Sequence, residues 1–130
     1  RPGERTPKVF EAINRLKNTL KRHSDYAAIK RDLDAICALY ADDIEFSSPY
    51  IAALGFSPDG VIHGKDLLRL YFEKALERAP QLTFTPEDLL VGARGHTLIY
   101  RNHRGERAAE THETDGVGLV IRADATYSTE

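Results

Sequence analysis

Apolar residues follow two rhythms along the chain. From Val9 to Tyr40 they recur at helical intervals, first as Val9, Ile13, Leu16 and Leu20, then as Tyr26, Ile29, Leu33, Ile36 and Tyr40. Steps of three and four keep each set on one side of an α-helix, so the pattern predicts two stripes facing a core. Ser24, Asp25 and Asp32 each offer an N-cap between the stripes, which leaves the break between the first two helices open. Ahead of them, residues 1–6 of the Pro/Gly-rich "RPGERTP" read as a flexible lead-in, with Thr6 as N-cap and Pro7 at the first helical position.

"DIEFSS" then alternates Ile44, Phe46 and Ser48 against Glu45 and Ser47, a short half-buried strand ended by Pro49. Tyr50 to Gly60 reads as an apolar loop or broken helix. "GKDLLRLYFEKALERAP" predicts a third helix with Leu68, Tyr71, Phe72 and Ala75 inward, stopped by Pro80. After it the rhythm shortens to alternation. Strands are expected at Leu82 to Val91, Thr97 to His103, Arg107 to Thr114 and Leu119 to Tyr127, with turns at "ARG", "HRG" and "DGVG". On the last strand, Leu119, Ile121, Ala123, Ala125 and Tyr127 form the apolar set, opposite Val120, Arg122, Asp124 and Thr126. Helices first and hairpin-linked strands last predict an α+β domain over residues 7–130, in which a curved antiparallel sheet wraps around three helices.

Composition narrows the function classes. The chain has 130 residues and 42% hydrophobic content, enough for one domain with its own core. Its net charge of −2, without a basic run interleaved with aromatics, argues against nucleic acid and anionic membrane as partners. No apolar stretch approaches the roughly 20 residues that span a bilayer. The single cysteine, Cys37, cannot form an internal disulfide and reads as a small core residue, so a reducing cytoplasm is the expected location. The chain contains no methionine, and its start reads as processed, trimmed or left incomplete.

Candidate chemistry sits on the penultimate strand. In "AAETHETDG", Glu110 and His112 share one face, where they either meet water or line a cavity. If they face inward, the carboxylate orients the imidazole and the pair can move a proton. Small Ala123 and Ala125 would leave space beside them, and Tyr127 would line it. Ile44, Phe46, Tyr71, Ala123 and Tyr127 are expected to converge on that cavity. Tyr40 and Tyr71 read as core aromatics whose hydroxyls each find one partner. His63 reads as structural, and Asp42 and Asp43 as helix-capping or solvent-facing. His96 and His103 bracket a strand spanning roughly 20 Å, too long for one metal site, and no metal-ligand spacing is present. Leu98, Ile99 and Tyr100 are consecutive apolar residues, so both faces of that strand should be covered.

"DLDAICALYADD", then "VIHGKDLLRLYF", then "DGVGLVIRADATY" resemble the nuclear transport factor 2-like superfamily over roughly residues 26–128, nearest its SnoaL-like polyketide-cyclase and ketosteroid-isomerase branches. The resemblance implies a cone of helices closed by a curved sheet, an apolar cavity at one end, and a homodimer. Such folds host isomerases, cyclases, dehydratases, hydrolases and binders alike. In ketosteroid isomerases an Asp base works opposite a Tyr and a protonated Asp. The base position falls here on Ser48, and a hydroxyl lacks the basicity to serve unaided. The Tyr position falls at Ser24, two residues from Tyr26, which leaves that role unsupported. The protonated carboxyl aligns with Glu110. The Asp-Arg-Asp arrangement of epoxide-opening relatives is not matched by "YRNHRG" or "RADATY".

The expectation is therefore a pocket for a small hydrophobic organic ligand, lined by Phe46, Ser48, Tyr50, Tyr71, Ala123 and Tyr127, with Glu110 and His112 as catalytic candidates. The chemistry would be cofactor-free proton transfer of isomerase, cyclase or dehydratase type on a carbonyl compound. The alternative is a non-catalytic binding or dimerisation module of the same fold.

Overall fold

A computed structural model describes residues 8–21, 26–79 and 83–129, the side chains of Leu20, Lys21 and Tyr26 excepted. Thr6, Pro7, Ser24, Asp25, Pro80 and Leu82 lie outside the described residues. The described residues form α1 (Lys8–Lys21), α2 (Tyr26–Cys37), β1 (Tyr40–Ser47), α3 (Pro49–Ala53), β2 (Val61–His63), α4 (Lys65–Arg78), β3 (Phe84–Val91), β4 (Gly95–Asn102), β5 (Arg107–Thr114) and β6 (Val120–Tyr127).

The three long helices bury most of the predicted stripe residues whose side chains are described, but Tyr40, the last of the second stripe, lies in β1, and on α4 Leu76 is buried while Ala75 is half-buried. On α1 the buried face is wider than the stripe, taking in Phe10 and Ala12 beside Val9, Ile13 and Leu16. Each large side chain so buried contributes about 1.5–3 kcal/mol. Asp32, read as one N-cap, instead lies within α2, where its buried carboxylate accepts a hydrogen bond from Thr19 of α1 and joins the two helices. Buried Cys37 ends α2, its thiol pushed up chiefly by burial. The apolar loop contains the short helix α3, so the described residues hold four helices where three were expected. Ser48 caps α3, its Oγ accepting from the Tyr50 amide at 3.2 Å, and Pro49 opens it.

One open, curved, six-stranded sheet runs in the order β2-β1-β6-β5-β4-β3. It is mixed: β1 pairs parallel with β6, while every other neighbour is antiparallel. The purely antiparallel expectation fails there because β1 and β6 are distant in sequence and no hairpin turn between them sets direction. Register shifts between Pro86 and Asp88, and between Glu113 and Thr114, fall where the strands must bend. The second shift carries Val120 to the buried side, with Ala123 and Ala125, and leaves Ile121 only half-buried. Edge strand β3 is mostly exposed and carries Pro86, Glu87 and Asp88, which discourage pairing with another chain. His63, read as structural, sits exposed in β2.

Leu98 and Tyr100 face the helices and are buried, while Ile99 on the outer face is half-buried. The core lies between the concave sheet face and α1, α2 and α4. No helix among the described residues is long and apolar enough to cross a membrane.

Candidate functional site

The concave face of the sheet encloses a cavity of about 350 Å³. Its walls are largely aromatic: Phe10 from α1, Tyr40 and Phe46 from β1, Tyr71 and Phe72 from α4, and Tyr100 from β4. Tyr50 and Tyr127 meet edge to face at its mouth, with ring centroids 4.9 Å apart. Of the expected lining residues, Phe46, Tyr50, Tyr71 and Tyr127 line it, and Ala125 does so in place of Ala123. Ala123 is fully buried behind the wall, in register with Phe46, and Ser48 caps α3 while its hydroxyl also meets the hydroxyls of Tyr71 and Tyr127. Phe46 and Tyr127 therefore share one side of the sheet, which is the register on which the placement of Glu110 depends.

Glu110 lines the cavity and is buried, with 8% of its surface exposed. Its Oε2 lies 2.6 Å from His112 Nε2. His112 does not reach the cavity. It stands behind Glu110 with 2% exposure and faces a separate groove. On its far side, Nδ1 lies 3.0 Å from Nε2 of His96, the residue opposite it on β4. A Cβ on Gly95 would overlap the His112 carbonyl, so glycine there permits the close approach of β4 and β5 beside the two rings.

Phenols surround the carboxylate. Tyr40 is fully buried, lines the cavity, and its hydroxyl has no hydrogen-bond partner, contrary to the partnered core role expected of it. Burial, and then the Glu110 carboxylate, hold its ionisation well above the ordinary phenol range. Burial likewise raises Tyr71 and Tyr100, and pushes Tyr127 up to about 12, the last again with help from Glu110. All four remain neutral hydrogen-bond donors near pH 7. Tyr40 and Glu110 line one cavity, and a neutral donor together with a carboxylate is what polarising a carbonyl and removing its α-proton require.

Arg78 and Arg104 make the rim cationic, His103 also lines it, and Arg104 Nη1 donates to the Tyr50 hydroxyl at 3.3 Å. Glu106 offsets part of that charge, accepting from Tyr50 at 2.5 Å and Asn102 at 2.8 Å, which holds its carboxyl below the usual range. His103 Nδ1 is buried without a partner. Asp42 and Asp43 are solvent-facing. Among the described residues no three His, Cys, Asp or Glu side chains are arranged to hold a metal ion.

Local pattern does not mark Tyr40, which continues a helical stripe, or His96, whose partner lies on the next strand, as site residues. A hairpin centred on Arg104 places position 96 opposite 112, so the turn "HRG" held the signal.

Comparison with known proteins agrees with this architecture. No curated protein matches the chain. A SnoaL-like protein of unknown function from Burkholderia thailandensis is 29% identical, with 92% of this chain and 93% of that one covered and a TM-score of 0.70. A candidate polyketide cyclase from Sinorhizobium meliloti (12% identity, 89% and 94% covered, TM-score 0.61) and a candidate ketosteroid isomerase from Kribbella flavida (16%, 95% and 79%, 0.58) share the fold. The family model described as the SnoaL-like domain matches residues 20–129, and with that span of the chain covered the protein belongs to the SnoaL-like family.

Proposed function

We propose that the chain binds a small, largely hydrophobic carbonyl compound and carries out cofactor-free acid/base chemistry on it, of isomerase, cyclase or dehydratase type. The observation that carries this reading is the pairing of a buried Glu110 carboxylate with the unpartnered Tyr40 hydroxyl on one aromatic cavity. Glu110 takes a proton from the carbon next to the carbonyl, and the electron pair moves onto the carbonyl oxygen. Tyr40 donates a hydrogen bond to that oxygen as its charge develops. The proton then returns at another carbon, or the enolate attacks a second carbonyl or expels a β-hydroxyl. His112 engages Oε2, and Oε1 is the oxygen that takes the substrate proton. The cationic rim suits a substrate with an anionic substituent at the mouth end.

The elementary step is testable without the native substrate. Small cyclic and aromatic keto acids, incubated with the protein in deuterated water, should exchange their α-protons faster than in buffer, as read by proton NMR. Each keto acid should bind more tightly than its methyl ester. Binding with no accelerated exchange would instead favour the non-catalytic binder, a reading that Ser48 supports by occupying the family's base position as a helix cap.

We also propose a homodimer through the outer sheet face, where Ile99 and Ala109 are half-buried and Leu90 is 52% exposed. Sedimentation at tens of micromolar should give twice the chain mass; a monomer there would overturn the proposal.

A further inference from the structure

The cavity and the groove lie at opposite ends of β4 and β5, and one row of side chains joins them. The cavity mouth is at the β4–β5 turn, near Asn102 and His103. The groove opens at the other end, between α1 and the β3–β4 and β5–β6 turns. Glu110 lines only the cavity, His96 and His112 only the groove. Consecutive contacts of 2.6 and 3.0 Å connect the three.

We propose that Glu110, His112 and His96 form a proton path between the cavity and the groove, with half-buried His96 as its solvent-side end. The use of this path by substrate rests on the acid/base role proposed for Glu110; the path itself does not. A proton on Glu110 Oε2 passes to His112 Nε2 while His112 Nδ1 releases its own proton to His96 Nε2. His96 Nδ1, which has no partner among the described residues, releases one to water in the groove. One proton enters, one leaves, and neither ring keeps a charge. Afterwards His112 Nε2–H donates to the carboxylate and His96 Nε2–H donates to His112 Nδ1. The same two contacts therefore serve before and after transfer, with donor and acceptor exchanged.

The surroundings suit a neutral relay. Burial, followed by the neighbouring His112, holds His96 below the ordinary histidine range, while Glu110 acts in the opposite direction. Only at a pH below its own lowered pKa is the ring protonated on both nitrogens and unable to accept, so the path works at neutral pH and fails in stronger acid. The other titratable groups lining the groove are Lys8 of α1, Tyr40 of β1, Arg94 of the β3–β4 turn, and Glu113 and Asp115 at the end of β5.

His96→Gln keeps a hydrogen-bonding side chain but cannot pass a proton on, so it separates relay from scaffold. In protein carrying ¹⁵N-histidine, the His112 ring proton should exchange with water an order of magnitude more slowly in H96Q than in the parent. A ¹⁵N–¹⁵N coupling between His96 Nε2 and His112 Nδ1 should be visible in the parent. Equal exchange rates, or no coupling, would overturn the path whatever the activity. For a β,γ-unsaturated ketone that the protein isomerises, the parent product should carry solvent deuterium and the H96Q product should retain more of the original hydrogen. Unchanged deuterium content would also overturn the path. Failure to turn over any ketone would overturn the proposed function instead, and the ring-proton exchange would still decide the path.

Discussion

Glu110→Gln is expected to slow α-proton exchange by about 10²–10⁴-fold, the scale for losing a positioned acid or base. The substitution preserves volume and polarity, and the amide can still bond His112 Nε2, so the 2.6 Å contact that orients the side chain has a replacement. What it removes is the basic oxygen facing the cavity. Ligand binding should survive, because the aromatic walls from Phe10, Phe46, Tyr71 and Tyr100 are untouched. The loss should therefore fall on the rate at saturation rather than on Kd, and an NMR exchange series against ketone concentration separates the two. Exchange at the parent rate in E110Q would place the base elsewhere.

Phe10→Ala should cost about 3–5 kcal/mol of folding stability. Phe10 is 2% exposed, stacks on Phe84 with centroids 5.0 Å apart, and meets the edge of Tyr100 at 5.1 Å. These contacts tie α1 to β3 and β4 across the cavity. Removing the ring loses its burial and both aromatic pairs, each worth about 0.5–1.5 kcal/mol beyond area, and enlarges the cavity it lines. Urea unfolding should show the midpoint falling with an unchanged slope, as expected when stability changes without a change in the surface exposed. A loss well under 1 kcal/mol would mean that α1 does not dock on the sheet in this way.

Local periodicity carried much of this fold. α1 and α4 follow their apolar stripes, and β5 begins and ends where alternation predicted it. The turn after β5 was legible because Asp115 accepts from the amides of Val117 and Leu119 and Gly118 supplies a positive φ of 91°. Alternation also placed Glu110 and His112 on one buried face, since side chains two residues apart in a strand point the same way.

Contacts between distant segments were not legible in that way. Tyr40 continued a helical rhythm by sequence, yet it is the first residue of β1, and its free hydroxyl became visible only once the cavity closed around it. Val120 reaches the core through a register shift that no period announces. Ala123 and Ser48 have the right parity and side chain for a lining, but parallel pairing of β1 with β6 packs one behind the wall, and the start of α3 occupies the other. The sequence by itself determined the long helices, most of the strands and which of their faces are apolar, because those depend on neighbours a few residues apart. Only the tertiary structure decided that Glu110 shares a cavity with Tyr40 and backs onto His112, with His96 beyond, because strand pairing and bulges set that placement and local spacing does not encode it.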